Sequence, residues 1–596
     1  MSILSALLRY FPYEDLRKEQ KDIILTVYEA LSSKRDALIE AASGVGKTIA
    51  VLTATMPFVE RGHKVIYLTR THMETDKVME ELARISRLGH SIKGLIFRGR
   101  GSLCINSMVA MLPSQLADEL CNVLRSFNAC EYFVSSRKEA IDVFNKGGEE
   151  LKRLCLKRRL CPYELLLNAL PSGNVIVMTY SYLMMSELKE RVFNLVIHSS
   201  DKAPIIVLDE AHNVQELVHS VNSIRLNLNE IIHVLNQLER LYSSHSITSF
   251  KNFIRTIKNT SELLRKRRGT VPIDPMLSID EIMNLRRLVT DALYLNMSRG
   301  GVIIRGLLCL STLLRLLSKL FEGNYVLLLG REGAELILEV FNPNPLALRR
   351  IVNRRLSLIA MSATLSPLEF YNKILGMRSP LIKRVPSPYI QNALFIIYTE
   401  LNTSFKNRKE ALYVKALDLI TDLDSYVPED KSIAVFVPSY EFLRELFERG
   451  LVYKVGRRIM TDIHLSAFSS LFTTNALYVS VLGGRLSEGI DLKVSLCLIV
   501  GVPYAKPDYR LMRTLKEYSK IFPGRARKYA YVFPAIRRAI QASGRLLRCP
   551  EDRGIVIFAD ERYVNLLRYF PRWMIPRIKV IKSKTELLKY VSLFSY

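Results

Sequence analysis

No stretch of this chain is long and apolar enough to read as a membrane span. Its most apolar region, residues 302–329, is broken by Arg305, Arg315, Lys319 and Glu322. No export is expected either: the apolar run within Met1–Tyr10 is short and charge follows at once. Cysteine is sparse, eight in 596 residues, which argues against a disulfide framework. None of the eight forms the paired C-x-x-C knuckle of a zinc ribbon. Acidic residues fall far short of basic ones, 58 Asp+Glu against 85 Lys+Arg, a formal charge of +27. That excess implies a polyanion partner, nucleic acid first, bound with salt-sensitive affinity. The expectation is a cytoplasmic protein with no membrane partner. An apolar content of 49% supports a folded chain, and the length predicts two large domains or several smaller ones.

The sequence is organised around Ile205-Ile206-Val207-Leu208-Asp209-Glu210-Ala211-His212. Four large apolar residues suit a strand buried on both faces, with two carboxylates where it emerges. Upstream, Ala37-Leu38-Ile39 leads into Ala41-Ala42-Ser43-Gly44-Val45-Gly46-Lys47-Thr48 and then a helix-like stretch reaching Phe58. This is strand, phosphate loop and helix: backbone N–H groups close on phosphate oxygens, Lys47 reaches the β- and γ-phosphates, and Thr48 can ligate Mg²⁺. Ala41 stands where the strict pattern has glycine, so Gly44 and Gly46 must supply the flexibility. Tyr10-Phe11-Pro12-Tyr13 and Arg17-Lys18-Glu19-Gln20 precede the loop, and an aromatic with Gln20 could hold a nucleotide base; a plain helix start explains the segment equally well. Lys64–Thr71 reads as a strand whose polar end, Thr69 and Arg70, could touch a phosphate backbone.

From Phe97 to Pro162 the strand-helix alternation gives way to cysteines and basic clusters, which marks an insertion. Cys104, Cys121, Cys130 and Cys161 are separated by sixteen, eight and thirty residues. Four such thiolates can hold an iron–sulfur cluster, with structural zinc or buried unliganded cysteines equally consistent with the spacing. Alternation resumes at Asn174–Tyr180, and from about Val214 to Arg350 helical patterning dominates a second, mainly α insertion. Ile231, Leu235, Leu238 and Tyr242 share one face there, and Ser278 with Glu281 resembles a capping box. Arg265–Arg268 could bind phosphates, though a solvated charge run is the commoner meaning. Strands return at Leu356–Met361, before Ser362-Ala363-Thr364, and again at Ile433–Val437, Ala476–Val481 and Leu496–Val500, so a second α/β domain follows. It carries the loop Gly483–Asp491 and the run Gln541–Arg548, in which Arg545 and Arg548 fall on one helix face.

Taken in order, Ala41–Thr48, Thr69–Thr71, Asp209–His212, Ser362–Thr364, Gly483–Asp491 and Gln541–Arg548 resemble the motif series of superfamily 2 helicases. Cys130-Glu131-Tyr132-Phe133, Cys161-Pro162-Tyr163, Thr179–Leu183 and Phe570-Pro571-Arg572-Trp573 resemble the XPD-type branch, and the compact length is closest to its archaeal members. Met73-Glu74 departs from the Ser-Gln common at that place. The resemblance implies an α/β fold of two RecA-like motor domains, with an iron–sulfur domain and a helical arch inserted in the first. The expected division is 1–95, 167–215 and 351–385 for the first motor domain, 96–166 for the cluster domain, 216–350 for the arch and 386–596 for the second motor domain. It further implies an ATP-driven 5′→3′ DNA helicase of nucleotide excision repair, working as a monomer on single strands and forks.

Under that resemblance Lys47, Asp209, Glu210, Arg545 and Arg548 are catalytic. Gln20, Ser43, Gly44, Val45, Gly46, Thr48, Gly489, Asp491 and Gln541 join Lys47 and Asp209 around ATP and Mg²⁺. Cys104, Cys121, Cys130 and Cys161 hold a [4Fe–4S] cluster, while Cys155 packs with Leu151 and Leu154 as a small core residue. Glu210 deprotonates the attacking water, the two arginines stabilise the transition state from the facing domain, and His212 links the site to Ser362 and Thr364. Lys152, Arg153, Lys157, Arg158 and Arg159 are candidates for gripping DNA. An RNA helicase, a zinc-bearing nuclease-coupled relative and a non-catalytic ATP switch are the rival readings.

Overall fold

The computed structural model describes every residue except Met1, Ser43, 137–141, 185–191, Phe193, 220–221, 267–269, 299–303, 333–334, 350–352, Arg354, 387–388, 463–474, 485–493, Arg545, 547–551 and 595–596. Apolar, β-branched runs form β1 (Ala37–Ala41), β2 (Val65–Thr69), β3 (Gly94–Phe97), β4 (Val175–Thr179) and β5 (Ile205–Asp209). Next come β6 (Asn222–Leu226), β7 (Val271–Pro272), β8 (Val326–Glu332) and β9 (Glu335–Phe341), then β10 (Ser357–Ser362) and β11 (Leu381–Val385). A parallel sheet in the order β11-β1-β10-β5-β2-β4-β3 is the frame of the first motor domain. Alternate side chains enter opposite cores. Ile39, Tyr67, Val207 and Ile359 pack with Ile23, Val51 and Val78 of the helices Lys18–Ser32, Lys47–Glu60 and His72–Arg87. Leu38, Leu68, Leu208 and Ala360 face Leu166, Phe370 and Tyr371 instead. Burial on both faces is why these strands read as continuous apolar runs.

A second parallel sheet is built from β12 (Ala393–Tyr398), β13 (Ile433–Val437), β14 (Arg458–Met460), β15 (Ala476–Val481), β16 (Leu496–Val500), β17 (Gly554–Ala559) and β18 (Ile578–Ile581). Its order is β14-β15-β13-β16-β17-β12-β18. The fold is thus α/β with two RecA-like domains. They meet through an aromatic cluster in which Phe370 of the first stacks near Tyr518 and Tyr529 of the second, with ring centroids 6.1 and 5.2 Å away.

Both insertions leave the first sheet. The one between β3 and β4 is a set of short helices, including Ser114–Ser126, Gly148–Arg158 and Pro162–Ala169. The one between β5 and β10 holds the helices Leu228–Leu241, His245–Lys266, Ile279–Ser298 and Ile304–Ser318. Ile231, Leu235 and Leu238 are buried with Tyr242 packed against them, and Ser278 and Glu281 exchange capping bonds of 2.8 and 3.2 Å. This insertion is not only helical: β6, β9, β8 and β7 form an antiparallel sheet. The region 302–329 therefore spans a helix and the start of β8, because a short strand leaves too few residues for its period to stand out from flanking helix pattern. The two insertions share one core, Leu116, Leu120 and Phe133 packing with Leu285 and Leu314. Across it Glu119 forms an ion pair with Arg315, Oε1 to Nε at 2.6 Å, and accepts from Ser311 Oγ at 2.7 Å, and Phe127 stacks on Tyr294 at 3.7 Å. No helix among the described residues is long and apolar enough to cross a membrane.

Candidate nucleotide site and cysteine cavity

The carboxyl ends of β1, β10 and β5, neighbours in the sheet, bring together the phosphate loop, Ser362 and Asp209, where open α/β sheets gather ligands. Gly44 and Gly46 take φ of 81° and 79°, a turn that favours glycine. A Cβ on Gly46 would also collide with the Gln20 amide, which lies buried against the loop and accepts from the Arg17 backbone N–H at 3.0 Å. Arg17 Nη1 in turn donates to Gly44 O at 2.8 Å. Tyr10 and Phe11 are buried in the core below, which leaves Tyr13 as the exposed aromatic of this segment.

Lys47 opens the helix after the loop. Its Nζ donates to Ala41 O and Ala42 O at 3.1 and 3.2 Å and stands 3.7 Å from Glu210 Oε1. Asp209 is held by Tyr67, whose hydroxyl donates to Oδ2 at 3.0 Å, by the Glu210 N–H on Oδ1 at 2.9 Å, and by Tyr180 at its backbone carbonyl. Thr48 is near enough to oppose the upward push of burial on the same Tyr67 hydroxyl, so both metal-ligand candidates neighbour one tyrosine. Glu210 adopts a left-handed backbone, φ 50° and ψ 47°, a strained conformation for a non-glycine that costs about 1 kcal/mol or more and is typical of active sites. Burial works against its charge, yet Lys47, His212 and Ser362 outweigh that and hold its carboxyl well below the ordinary range. Burial and the adjacent Glu210 charge push Asp209 the other way, upward.

A chain of hydrogen bonds reaches Glu210 from the second domain. Gln541, on the helix Phe533–Ser543, meets His212 Nε2; His212 Nδ1 lies 2.6 Å from Ser362 Oγ; and Ser362 Oγ donates to Glu210 Oε2 at 2.7 Å. Proton positions follow from the partners: the amide donates to Nε2, which leaves the imidazole proton on Nδ1. Arg537 of the same helix crosses the boundary to Gln215 Oε1 at 3.2 Å and the Tyr371 hydroxyl at 2.7 Å. Tyr67, Tyr180 and Arg537 were not singled out from the sequence, where a buried tyrosine reads as core and an arginine next to Arg538 as surface charge. Ser43, Gly489, Asp491, Arg545 and Arg548 lie outside the described residues, as does part of Arg265–Arg268. Thr69 corrects an expectation: it is fully buried, its hydroxyl on Thr71 O at 3.1 Å, so only Arg70 of that pair is exposed. Glu74 caps the next helix with Thr71 and accepts from the Arg70 N–H at 2.9 Å.

Cys104, Cys121, Cys130 and Cys161 line a single cavity with Val109, Leu124, Phe133 and Pro162. Cys155 is not among its lining; it is buried with Leu151 in the first domain's core. Burial pushes the thiol of Cys121 up to about 12 and that of Cys161 to about 11, with Arg100 and Arg125 opposing it at Cys121. Among the described residues no three His, Cys, Asp or Glu side chains are close enough to hold one metal ion.

Fold and site together define a nucleotide-driven motor of two RecA-like domains with a cysteine-lined insertion. Residues 67–231 match the DEAD_2 family and 424–577 the helicase C-terminal domain. Over 692 residues the chain is 24% identical to the general transcription and DNA repair factor IIH helicase subunit XPD of Dictyostelium discoideum, covering 96% of this chain and 88% of that one. It is also 24% identical to the ATP-dependent DNA helicase XPD of Sulfolobus acidocaldarius, over 92% of this chain and 97% of that one. A solved XPD helicase structure superposes with a TM-score of 0.73 at 22% identity, covering 96% of this chain and all of that one, 100%. The chain belongs to the XPD-type branch of the superfamily 2 helicases.

Proposed function

We propose that the chain is an ATP-dependent DNA helicase that moves 5′→3′ along single-stranded DNA, in repair of the nucleotide-excision type. The observation that carries this reading is the hydrogen-bond chain from Gln541 through His212 and Ser362 to Glu210, which makes the orientation of a catalytic base depend on the facing domain. Lys47 neutralises phosphate charge while Ser43, Gly44, Val45 and Gly46 wrap the phosphates and Gln20 borders the base. Thr48 and Asp209 would hold Mg²⁺, which supplies further charge neutralisation when bound. Glu210, kept ionised by Lys47, takes the proton of the attacking water. Gly489, Asp491, Arg545 and Arg548 complete the site from the second domain, the arginines at the transition-state charge. Closure on ATP and opening on product release then alternate, and each cycle shifts the domains along the strand.

Cys104, Cys121, Cys130 and Cys161, four thiols around one shared cavity, fit a [4Fe–4S] cluster. Bound there, it would tie together the short helices of the 96–166 domain, next to the 216–350 arch. The motor domains comprise 1–95, 167–215 and 351–385, and 386–596. The partners are single strands and forks, the working unit a monomer, and the place the cytoplasm, with the nucleoid as the site if the cell is prokaryotic. ATP turnover with and without DNA, and unwinding of duplexes with 5′ or 3′ overhangs, test the reading. Opening from 3′ overhangs alone would reverse the polarity. Unwinding of RNA only, or ATP binding without DNA-stimulated turnover, would favour the rival classes.

A further inference from the structure

A second polar cluster lies at the domain boundary, where the helix after the Asp-Glu-Ala-His segment meets the second domain. Glu216 follows that segment on the helix Val214–Val218, and its Oε1 faces Arg538 Nη2 at 3.4 Å and Arg537 Nη2 at 3.9 Å. Both arginines come from the second domain. Arg537 is 6% exposed and fixed by Gln215 and Tyr371 through Nη1, while its buried Nη2 has no hydrogen-bond partner among the described residues. Burial raises the Glu216 carboxyl, but Arg537, Arg538 and Arg70 more than reverse this, so one carboxylate stands among three guanidiniums. The pair is loose. Arg355 and Asp36, a locking ion pair of the first domain, sit at 2.5 Å with side chains 1% and 0% exposed, whereas Arg538 and Glu216 are 30% and 38% exposed. A loose, half-exposed ion pair contributes little to stability and exchanges readily.

We propose that Glu216 masks a phosphate-binding subsite formed by Arg537 and Arg538, and that a backbone phosphate of the bound single strand displaces it. This rests on the helicase reading above. A phosphodiester carries the same charge as the carboxylate and presents oxygens that match the guanidinium fork, so it can engage Arg538 and the unpartnered Arg537 Nη2 together. Two sources of phosphate exist, nucleotide and DNA, and position favours DNA. Arg70, whose charge acts on Glu216, stands at the end of β2, and β10 and β5 lie between β2 and the phosphate-loop strand β1. Because the arginines and Glu216 belong to different domains, the exchange couples grip on the strand to their approach.

The test uses the full-length protein without nucleotide, an oligo-dT probe and a salt titration, with melting temperature as a folding check. Glu216→Gln should tighten binding roughly two- to fivefold, the scale of one exposed ion pair. Arg538→Gln should weaken binding and lower the slope of log K against log salt by about 0.7, one contact to single-stranded phosphate. The gain from Glu216→Gln should vanish in the Arg538→Gln background. Arg538→Lys, which keeps the charge and loses the fork, should preserve the slope with reduced affinity, separating contact loss from misfolding. An equal gain from Glu216→Gln in both backgrounds would mean a general charge effect and overturn the proposal, as would an unchanged slope in Arg538→Gln. Changes confined to binding of a non-hydrolysable ATP analogue without DNA would assign the subsite to nucleotide and overturn the DNA assignment. A wild-type protein that binds no oligo-dT at all would sink the helicase reading itself, a different outcome from variants that merely match wild type.

Discussion

The nucleotide site and the cysteine cavity are built in opposite ways. In the first, each motif is contiguous, since a phosphate loop or an Asp-Glu pair occupies the few residues where one strand ends and one loop begins. In the second, the four cysteines that line one cavity come from separate short segments over Cys104–Cys161, and a fifth, Cys155, lies among them in the chain. Chemistry that depends on backbone conformation leaves a compact signature. Chemistry that depends only on where side chains converge leaves none, because the spacing is set by intervening helices.

The sharpest way to test the first construction is Glu210→Gln. An amide cannot accept the proton of the attacking water, so ATP turnover should fall by about 10²- to 10⁴-fold while nucleotide binding, measured separately, persists. Turnover near wild type would remove Glu210 from the role of base. The second construction is tested by a pair of variants: Cys161→Ser should lose iron and visible absorbance and impair unwinding, whereas Cys155→Ser should keep metal and unwinding. The reverse pattern would exchange the two assignments, and stoichiometric zinc without iron after anaerobic purification would replace the cluster.

A smaller effect probes the link between domains. Gln541→Ala removes a neutral hydrogen bond to His212 worth about 1 kcal/mol, so DNA-stimulated turnover should drop by roughly fivefold with ATP affinity retained. An unchanged rate would show that Glu210 is oriented without the second domain. The smallest effect is on pH. His219 bridges Asn342 O at 2.8 Å and the Tyr518 hydroxyl at 3.0 Å, and burial depresses it from 6.5 to about 4. The unfolded chain therefore binds the extra proton first: this stability is complete above about pH 6.5 and is lost as pH falls through about 4. His219→Gln should flatten the melting temperature across that window; an unaltered profile would place the titration elsewhere.

How far the sequence could be read depended on the element. The strand Ile205–Asp209 was legible because a doubly buried parallel strand must be apolar throughout, and the capping box at Ser278 and Glu281 because it is local. The antiparallel sheet of the second insertion was not, since β6 and the β8–β9 hairpin lie on either side of four long helices whose periodicity dominates. Thr69 looked like a ligand-facing residue at a strand end, yet the strand is buried on both faces to its last residue and the hydroxyl turns back onto Thr71 O.

Arg537 and Arg538 show the limit most clearly. They are identical and adjacent, yet one is buried at the boundary between the motor domains and the other is 30% exposed. By itself the sequence determined the strand-loop-helix units, the phosphate loop, the acidic pair, the excess of positive charge and the order in which the motifs occur, because each follows from backbone sterics or composition within a few residues. Only the tertiary structure decided that Tyr67 holds Asp209, that Gln541 reaches Glu210 through His212 and Ser362, and that four of five neighbouring cysteines share a cavity. Those contacts join residues up to hundreds of positions apart, and they exist only once burial of the two sheets and the shared core of the insertions has fixed where each side chain points.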